Sequence, residues 1–157
     1  MRSAACQFLP GHLKLTPKTM SLNILIVDDS AAMRSIIQKT LQLSGLPIGE
    51  LYQAKNGAEG LQMLDENWVD LALVDINMPV MNGETMINQV RENPDTAELP
   101  IVVVSTESSD VRIARLREKQ VEFIHKPFAP EDLRQTVYKI TGAEYEASAI
   151  SSVDSDF

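Results

Sequence analysis

Two adjacent aspartates, Asp28 and Asp29, a third, Asp75, and a lysine, Lys126, each follow directly on an apolar run with strand character. The runs are Ile24-Leu25-Ile26-Val27, Leu71-Ala72-Leu73-Val74 and Phe123-Ile124-His125. In a parallel sheet the C-terminal ends of the strands open on one edge, where ligands bind. This spacing therefore predicts three carboxylates and one ammonium converging on a single pocket. Crowded carboxylates repel one another unless a hard divalent cation or a shared proton neutralises them. A carboxylate ionised at neutral pH needs no general base to attack phosphorus, only charge neutralisation and in-line geometry. The pattern points to Mg²⁺ and phosphoryl transfer onto Asp75. Asp28, Asp29 and Asp75 are candidate ligands, with the backbone carbonyl of Asn77 to complete the shell. Lys126 can pair with Asp75 at rest and with a phosphoryl group afterwards, and the Ser105 hydroxyl can donate to a phosphoryl oxygen.

Each piece alone has a plainer reading. Asp28-Asp29 could be a solvated helix start, Asp75 a turn cap, Ser105-Thr106 the cap of a following helix, and Lys126-Pro127 an ordinary strand exit. The inference rests on all of them falling on one edge in the order that one reaction centre requires.

The elements that must hold these groups alternate strand and helix five times from Leu22 onward. The first strand, residues 22–27, is nearly all apolar, as a strand buried on both faces is. Ser30 is placed to cap a helix with an inward stripe of Met33, Ile36, Ile37 and Leu41, ended by Gly45 and Pro47. Residues 50–54 read as a weaker strand closed by an Asn56-Gly57 turn. A second helix is marked by Leu61, Leu64 and Trp68, and a third strand spans 69–74. After the loop Asp75-Ile76-Asn77-Met78-Pro79-Val80-Met81-Asn82-Gly83, a helix carries Met86, Ile87 and Val90 and stops at Asn93-Pro94. The fourth strand is 101–104. The helix over 110–119 offers only Val111, Ala114, Ile113 and Leu116 as inward residues, the thinnest stripe in the chain. The last strand is 121–125, and Pro130 opens a helix with Leu133, Val137 and Ile140 inward, ended by Gly142. Five such units predict a doubly wound five-stranded parallel sheet with helices on both faces, an α/β sandwich of flavodoxin-like order.

Composition narrows the function classes. The chain has 157 residues, 44% apolar and 23% charged, and a net charge of −8, which argues against intrinsic binding of nucleic acid. One cysteine, Cys6, excludes an internal disulfide and suits a reducing compartment. No apolar run reaches the roughly 20 residues a membrane helix needs, and the first residues make a poor signal peptide, so a cytoplasmic protein is expected. Residues 1–20 read as a flexible arm, with Met20 a candidate start of translation. Residues 143–157, acidic and Ser-rich, read as a disordered tail.

The segments Ile24-Leu25-Ile26-Val27-Asp28-Asp29-Ser30, Asp75 through Gly83, Val104-Ser105-Thr106-Glu107 and Lys126-Pro127-Phe128 closely resemble the receiver domain of two-component response regulators, of the stand-alone CheY-like kind. The similarity runs over residues 21–142. It implies Asp75 as phosphoacceptor, Asp28 and Asp29 as holders of Mg²⁺, Ser105 as a switch hydroxyl and Lys126 as phosphate partner. It also implies Phe123 as an aromatic rotamer switch and a cis peptide before Pro127. Phe123 as plain core remains the alternative. Three positions depart from the common pattern: Thr106 stands where Ala or Gly is frequent, Asn82 where Asp is, and Lys119-Gln120 where Gly-Ala often precedes the last strand. Asn77 and Glu107 fall where the family tunes hydrolysis of the phosphoryl group.

The implied partners are a sensor histidine kinase and either a separate target protein or a histidine phosphotransfer protein, with the chain a monomer or weak dimer that catalyses only its own phosphorylation and dephosphorylation. Two rivals lack their motifs. A haloacid-dehalogenase-like phosphohydrolase wants Asp where Asn77 stands, and a flavodoxin-like carrier wants a Ser/Thr/Gly-rich loop where Asp28-Asp29 would repel a flavin phosphate.

Overall fold

The computed structural model describes residues 21–141. The expected N-terminal arm, the acidic tail and the stop at Gly142 lie outside the described residues. Five strands, β1 (Leu22–Val27), β2 (Ile48–Ala54), β3 (Leu71–Val74), β4 (Ile101–Ser105) and β5 (Glu122–His125), alternate with α1 (Ala31–Leu43), α2 (Gly57–Glu66), α3 (Gly83–Glu92), α4 (Asp110–Arg117) and α5 (Pro130–Thr141). All pair in parallel in the order β2-β1-β3-β4-β5, as a doubly wound fold requires.

The central strands β1, β3 and β4 are mostly apolar because both faces are covered, whereas the edge strands β2 and β5 carry polar residues. Along β1, Ile24 and Ile26 face a cluster with Ile37 and Leu41 of α1 and Leu133 and Val137 of α5. Leu25 and Val27 face the opposite cluster, with Met86, Ile87 and Val90 of α3 and Leu116 of α4. The period-two alternation of strand side chains sorts one continuous apolar run into two cores.

Several expectations need correction. Asn56-Gly57 is not a turn but a helix start: Asn56 caps α2, its side chain accepting from Glu59 N at 2.8 Å. β2 begins at Ile48 and β3 only at Leu71, because the chain crosses from α2 in a short extended segment first. Trp68 lies beyond the end of α2 and is 76% exposed. In α1, Ile36 is exposed while Ile37 and Leu41 carry the burial. In α4, Val111 and Ala114 face solvent and Leu116 is the one buried side chain.

Since α4 buries so little, ion pairs supplement its packing. Arg115 grips Glu84 of α3 through Nε at 2.9 Å and Nη2 at 3.2 Å, and Arg112 Nη1 meets Glu107 Oε2 at 2.8 Å. Arg115 holds Glu84 below the usual carboxylate range. These are surface pairs, screened by solvent, and each contributes little on its own.

The departure at Lys119-Gln120 is accommodated by a residue far away in sequence. Gln120 takes φ 63, a left-handed conformation that a side chain disfavours. Arg91, in the last turn of α3, donates to the carbonyls of Lys119 (2.9 Å), Gln120 (3.0 Å), Leu99 (2.7 Å) and Ala97 (3.1 Å), tying this turn to the entry of β4. Arg91→Ala strands several part-buried acceptors and is expected to cost about 2–4 kcal/mol in urea unfolding. Gln120→Gly, which relieves the left-handed strain, is expected to gain about 1 kcal/mol in the same assay.

Candidate phosphoacceptor site

Strand register brings the acidic residues together. Val27 of β1 pairs with Val74 of β3, so the next residues, Asp28 and Asp75, leave the sheet side by side. The ladder continues one step past the strands: Asp75 N donates to Val27 O at 2.9 Å and Asp28 N to Ala54 O at 3.0 Å. The strand order reverses at β1, and its boundary with β3 is the topological switch point where doubly wound sheets open a crevice. On the other side Ser105 pairs with His125, and Lys126 N donates to Ser105 O at 2.9 Å, so β5 delivers the lysine to the same edge.

The carboxylates of Asp28, Asp29 and Asp75 each offer an oxygen within 4.8 Å of the others. Asp28 is 2% exposed, Asp75 half-buried and Asp29 exposed, so the cluster forms a mouth rather than a sealed cavity. Burial pushes the Asp75 carboxyl above its ordinary pKa. Lys126 and a hydrogen bond from Ile76 N oppose that, while the negative charges of Asp28 and Asp29 reinforce it. Three hard oxygen donors held this close against their own repulsion fit a hard divalent cation such as Mg²⁺.

Lys126 pairs with Asp75 as expected, but it has a closer partner as well. Its Nζ is 2.9 Å from Asp28 Oδ2 and 3.8 Å from Asp75 Oδ1, so its close partner is Asp28. The most buried carboxylate takes the cation because it has the least water to solvate it. Sequence spacing could place the lysine on this edge but not choose between two aspartates on neighbouring strands. Lys126-Pro127 is a cis peptide bond, as the resemblance implied.

Ser105 is fully buried, and its Oγ accepts from Glu107 N at 3.1 Å. Glu107 is itself occupied: Oε1 accepts from Ser108 N (2.9 Å) and Ser109 N (3.0 Å), and Oε2 from Arg112. The Ser109 N–H bond above all, with Arg112 and Ser108 N–H, holds Glu107 below the usual carboxylate range against its desolvation. Phe123 is half-buried against the cluster that includes Leu116, its ring 6.1 Å from that of His125. Asn77 is exposed in the loop after Asp75, and Thr106 is exposed beside Ser105.

Two supporting residues had weaker signals in the sequence. Arg34 donates from Nη1 to Asp28 O at 2.7 Å and from Nε to Gln53 Oε1 at 3.0 Å, steadying the loop that carries both aspartates. Asn82, where Asp is frequent, caps α3 by accepting from Thr85 N at 2.8 Å, so the departure costs no cap.

A doubly wound sheet with three carboxylates at its switch point and a lysine delivered by the last strand makes an acidic pocket suited to a divalent cation and a phosphoryl group. The family model of the response regulator receiver domain matches residues 24–138. Chemotaxis protein CheY1 of Helicobacter pylori is 35% identical over 77% of this chain and 98% of its own. The sensor histidine kinase TmoS of Ectopseudomonas mendocina is 31% identical over 85% of this chain, which spans 13% of the kinase. Among solved structures, chemotaxis protein CheY4 of Vibrio cholerae has TM-score 0.69 and 30% identity, covering 77% of this chain and 99% of CheY4. The chain belongs to the response regulator receiver domain family, and with it to two-component signalling. Among the described residues, no helix is long and apolar enough to cross a membrane.

Proposed function

We propose that the chain acts as a single-domain response regulator of the cytoplasm. Asp75 accepts a phosphoryl group from a phosphohistidine of a sensor kinase, and the phosphorylated form binds a separate partner. The observation that carries this reading is the convergence of Asp28, Asp29 and Asp75 within 4.8 Å beside Lys126. Asp75 Oδ1 is engaged by Ile76 N at 2.8 Å, which leaves Oδ2 to attack phosphorus as the phosphorus–nitrogen bond of the donor breaks and its electron pair stays on the imidazole. Asp28, Asp29, Asp75 and the Asn77 carbonyl would hold Mg²⁺. Bound there, Mg²⁺ neutralises the equatorial oxygens of the transferring group.

The ammonium of Lys126 lies between Asp28 and Asp75, close enough to shift its pairing toward a phosphoryl group on Asp75. Ser105 gives up its bond from Glu107 N to donate instead to a phosphoryl oxygen, and Phe123 takes the space that Ser105 vacates. The exchange loosens the start of α4 and remodels the face of α4, β5 and α5, a population shift between two packings. Close similarity over nearly the whole length of CheY1 favours a shuttle to a target over a relay to a histidine phosphotransfer protein.

The test is incubation with a small-molecule phosphodonor and Mg²⁺, followed by mapping of the acid-labile adduct to Asp75. An adduct on another residue, or none, ends the proposal. Lys126→Ala is expected to keep part of the labelling and to bind Mg²⁺ more tightly at rest, because Asp28 loses its competing cation. Its response, read as partner binding or as chemical shifts on α4, should be uncoupled from labelling.

A further inference from the structure

The sheet edge opposite the aspartates carries an aromatic residue that phosphoryl chemistry does not use. Trp68, the single tryptophan of the chain, is 76% exposed between α2 and β3. Its indole is nevertheless fixed. Nε1 donates to Asp70 Oδ1 at 2.8 Å, Asp70 Oδ2 accepts from Asn23 N at 2.8 Å, and Asn23 Nδ2 donates to Trp68 O at 3.3 Å. An exposed aromatic already held in place loses little rotamer freedom when something binds it.

Trp68 borders a hollow of about 330 Å³ with apolar walls from Leu64, Val69, Pro94 and Leu99. A second hollow, of about 530 Å³, lies between α2 and α3 and shares Leu64, Asp95 and Thr96 with the first. Together they form one groove of a single charge sign. Asp65, Asp70, Asp95 and Glu98 line it, and no Lys, Arg or His does. Among the described residues, the carboxylates of Asp65 and Asp95 have no ion-pair partner, while Glu98 interacts electrostatically with Arg91. The C-terminal ends of α2 and α3 lie beside the groove and add the negative ends of two helix dipoles, α2 with no basic residue in its last turn.

We propose that this groove docks a cationic segment of a partner protein, with apolar side chains in the hollows and an Arg or Lys over the Trp68 indole. Charge decides the occupant: an acidic segment would meet four carboxylates, and a neutral one would desolvate them without compensation. An indole is the best aromatic platform for a cation. Because the groove lies at the far edge from Asp75, such a partner would anchor or localise the protein while leaving the phosphoacceptor open.

The full chain, titrated with two capped peptides of equal length and apolar content, one with arginines and one with glutamates at the same positions, tests this. The arginine peptide is expected to shift Trp68 emission saturably and to move the amide signals of Leu64, Thr96 and Leu99. The glutamate peptide should do neither. The double variant Asp95→Asn with Glu98→Gln should weaken the arginine peptide about tenfold. The proposal is overturned if the arginine peptide gives no saturable response, if its shifts gather at Asp28, Asp29 and Asp75, or if the double variant binds as well as the parent. It also falls if Lys14→Glu with Lys18→Glu moves Trp68 emission with no peptide present, since the chain's own cationic stretch would then be the occupant.

Discussion

Asp75→Asn abolishes labelling by a phosphodonor with Mg²⁺ and, in the metal-free protein near neutral pH, is expected to raise the melting temperature by a few degrees. Both effects have one origin. Burial, aided by Asp28 and Asp29, raises the Asp75 pKa above 3.8, so the folded chain holds this proton more tightly than the unfolded chain does. Stability therefore falls as pH rises through the window between the ordinary Asp value and the raised one, and the deficit persists at neutral pH. Asparagine carries no charge and escapes it. The gain of the variant should be full at neutral pH and vanish below the ordinary Asp range, where the carboxyl is protonated in both states. Mg²⁺ should narrow the gap by stabilising the wild type more than the variant, which keeps Asp28 and Asp29 but lacks the third carboxylate. Thermal melts of both proteins across pH in a chelator decide the matter: a variant less stable than wild type at pH 7 contradicts this account of the site.

Gly83→Ala is expected to cost about 3 kcal/mol or more in urea unfolding and to reduce labelling of Asp75 in the fraction that folds. Gly83 is the first residue of α3, and its N–H donates to Ile76 O at 2.8 Å. A methyl group there would overlap the carbonyl oxygen of Asp75 and crowd the Cα of Ile76. Both obstacles are backbone, so no rotamer change relieves them, and the loop bearing the phosphoacceptor must move. Gly57→Ala is a useful contrast. Its Cβ would meet the flexible Met81 side chain at 2.8 Å but also the Met81 carbonyl at 2.9 Å, on the loop rather than on Asp75 itself. Labelling should survive in Gly57→Ala better than in Gly83→Ala. Equal losses in the two would remove the special role given to the Asp75 carbonyl.

The strands and the acidic edge were legible in the sequence because burial on both faces demands uninterrupted apolar runs, and Asp28, Asp75 and Lys126 stand at the ends of three of them. Register then follows from parallel pairing. What escaped was whatever depends on where a helix stops or which of two neighbours a side chain reaches. Trp68 continues the spacing of Leu61 and Leu64, but the helix ends at Glu66, and an indole tied to Asp70 stays in solvent. Val111 and Ala114 occupy an inward-looking period on a helix whose docking relies on arginines. Lys126 reaches Asp75 as its position predicted, but its closer approach to Asp28 follows relative burial, a property of the assembled sheet. Arg91 gave no local sign at all, since its carbonyl partners lie up to 29 residues away.

The sparse burial of α4 has a consequence for the setting in which the protein works. A helix moored by Glu84–Arg115 and Glu107–Arg112 pairs, with Leu116 its lone plug, owes part of its grip to forces that mobile ions weaken. Dissolved electrolyte thus becomes a trim control on how readily this helix shifts, and a cell that accumulates potassium under osmotic stress would retune the module without altering a single residue.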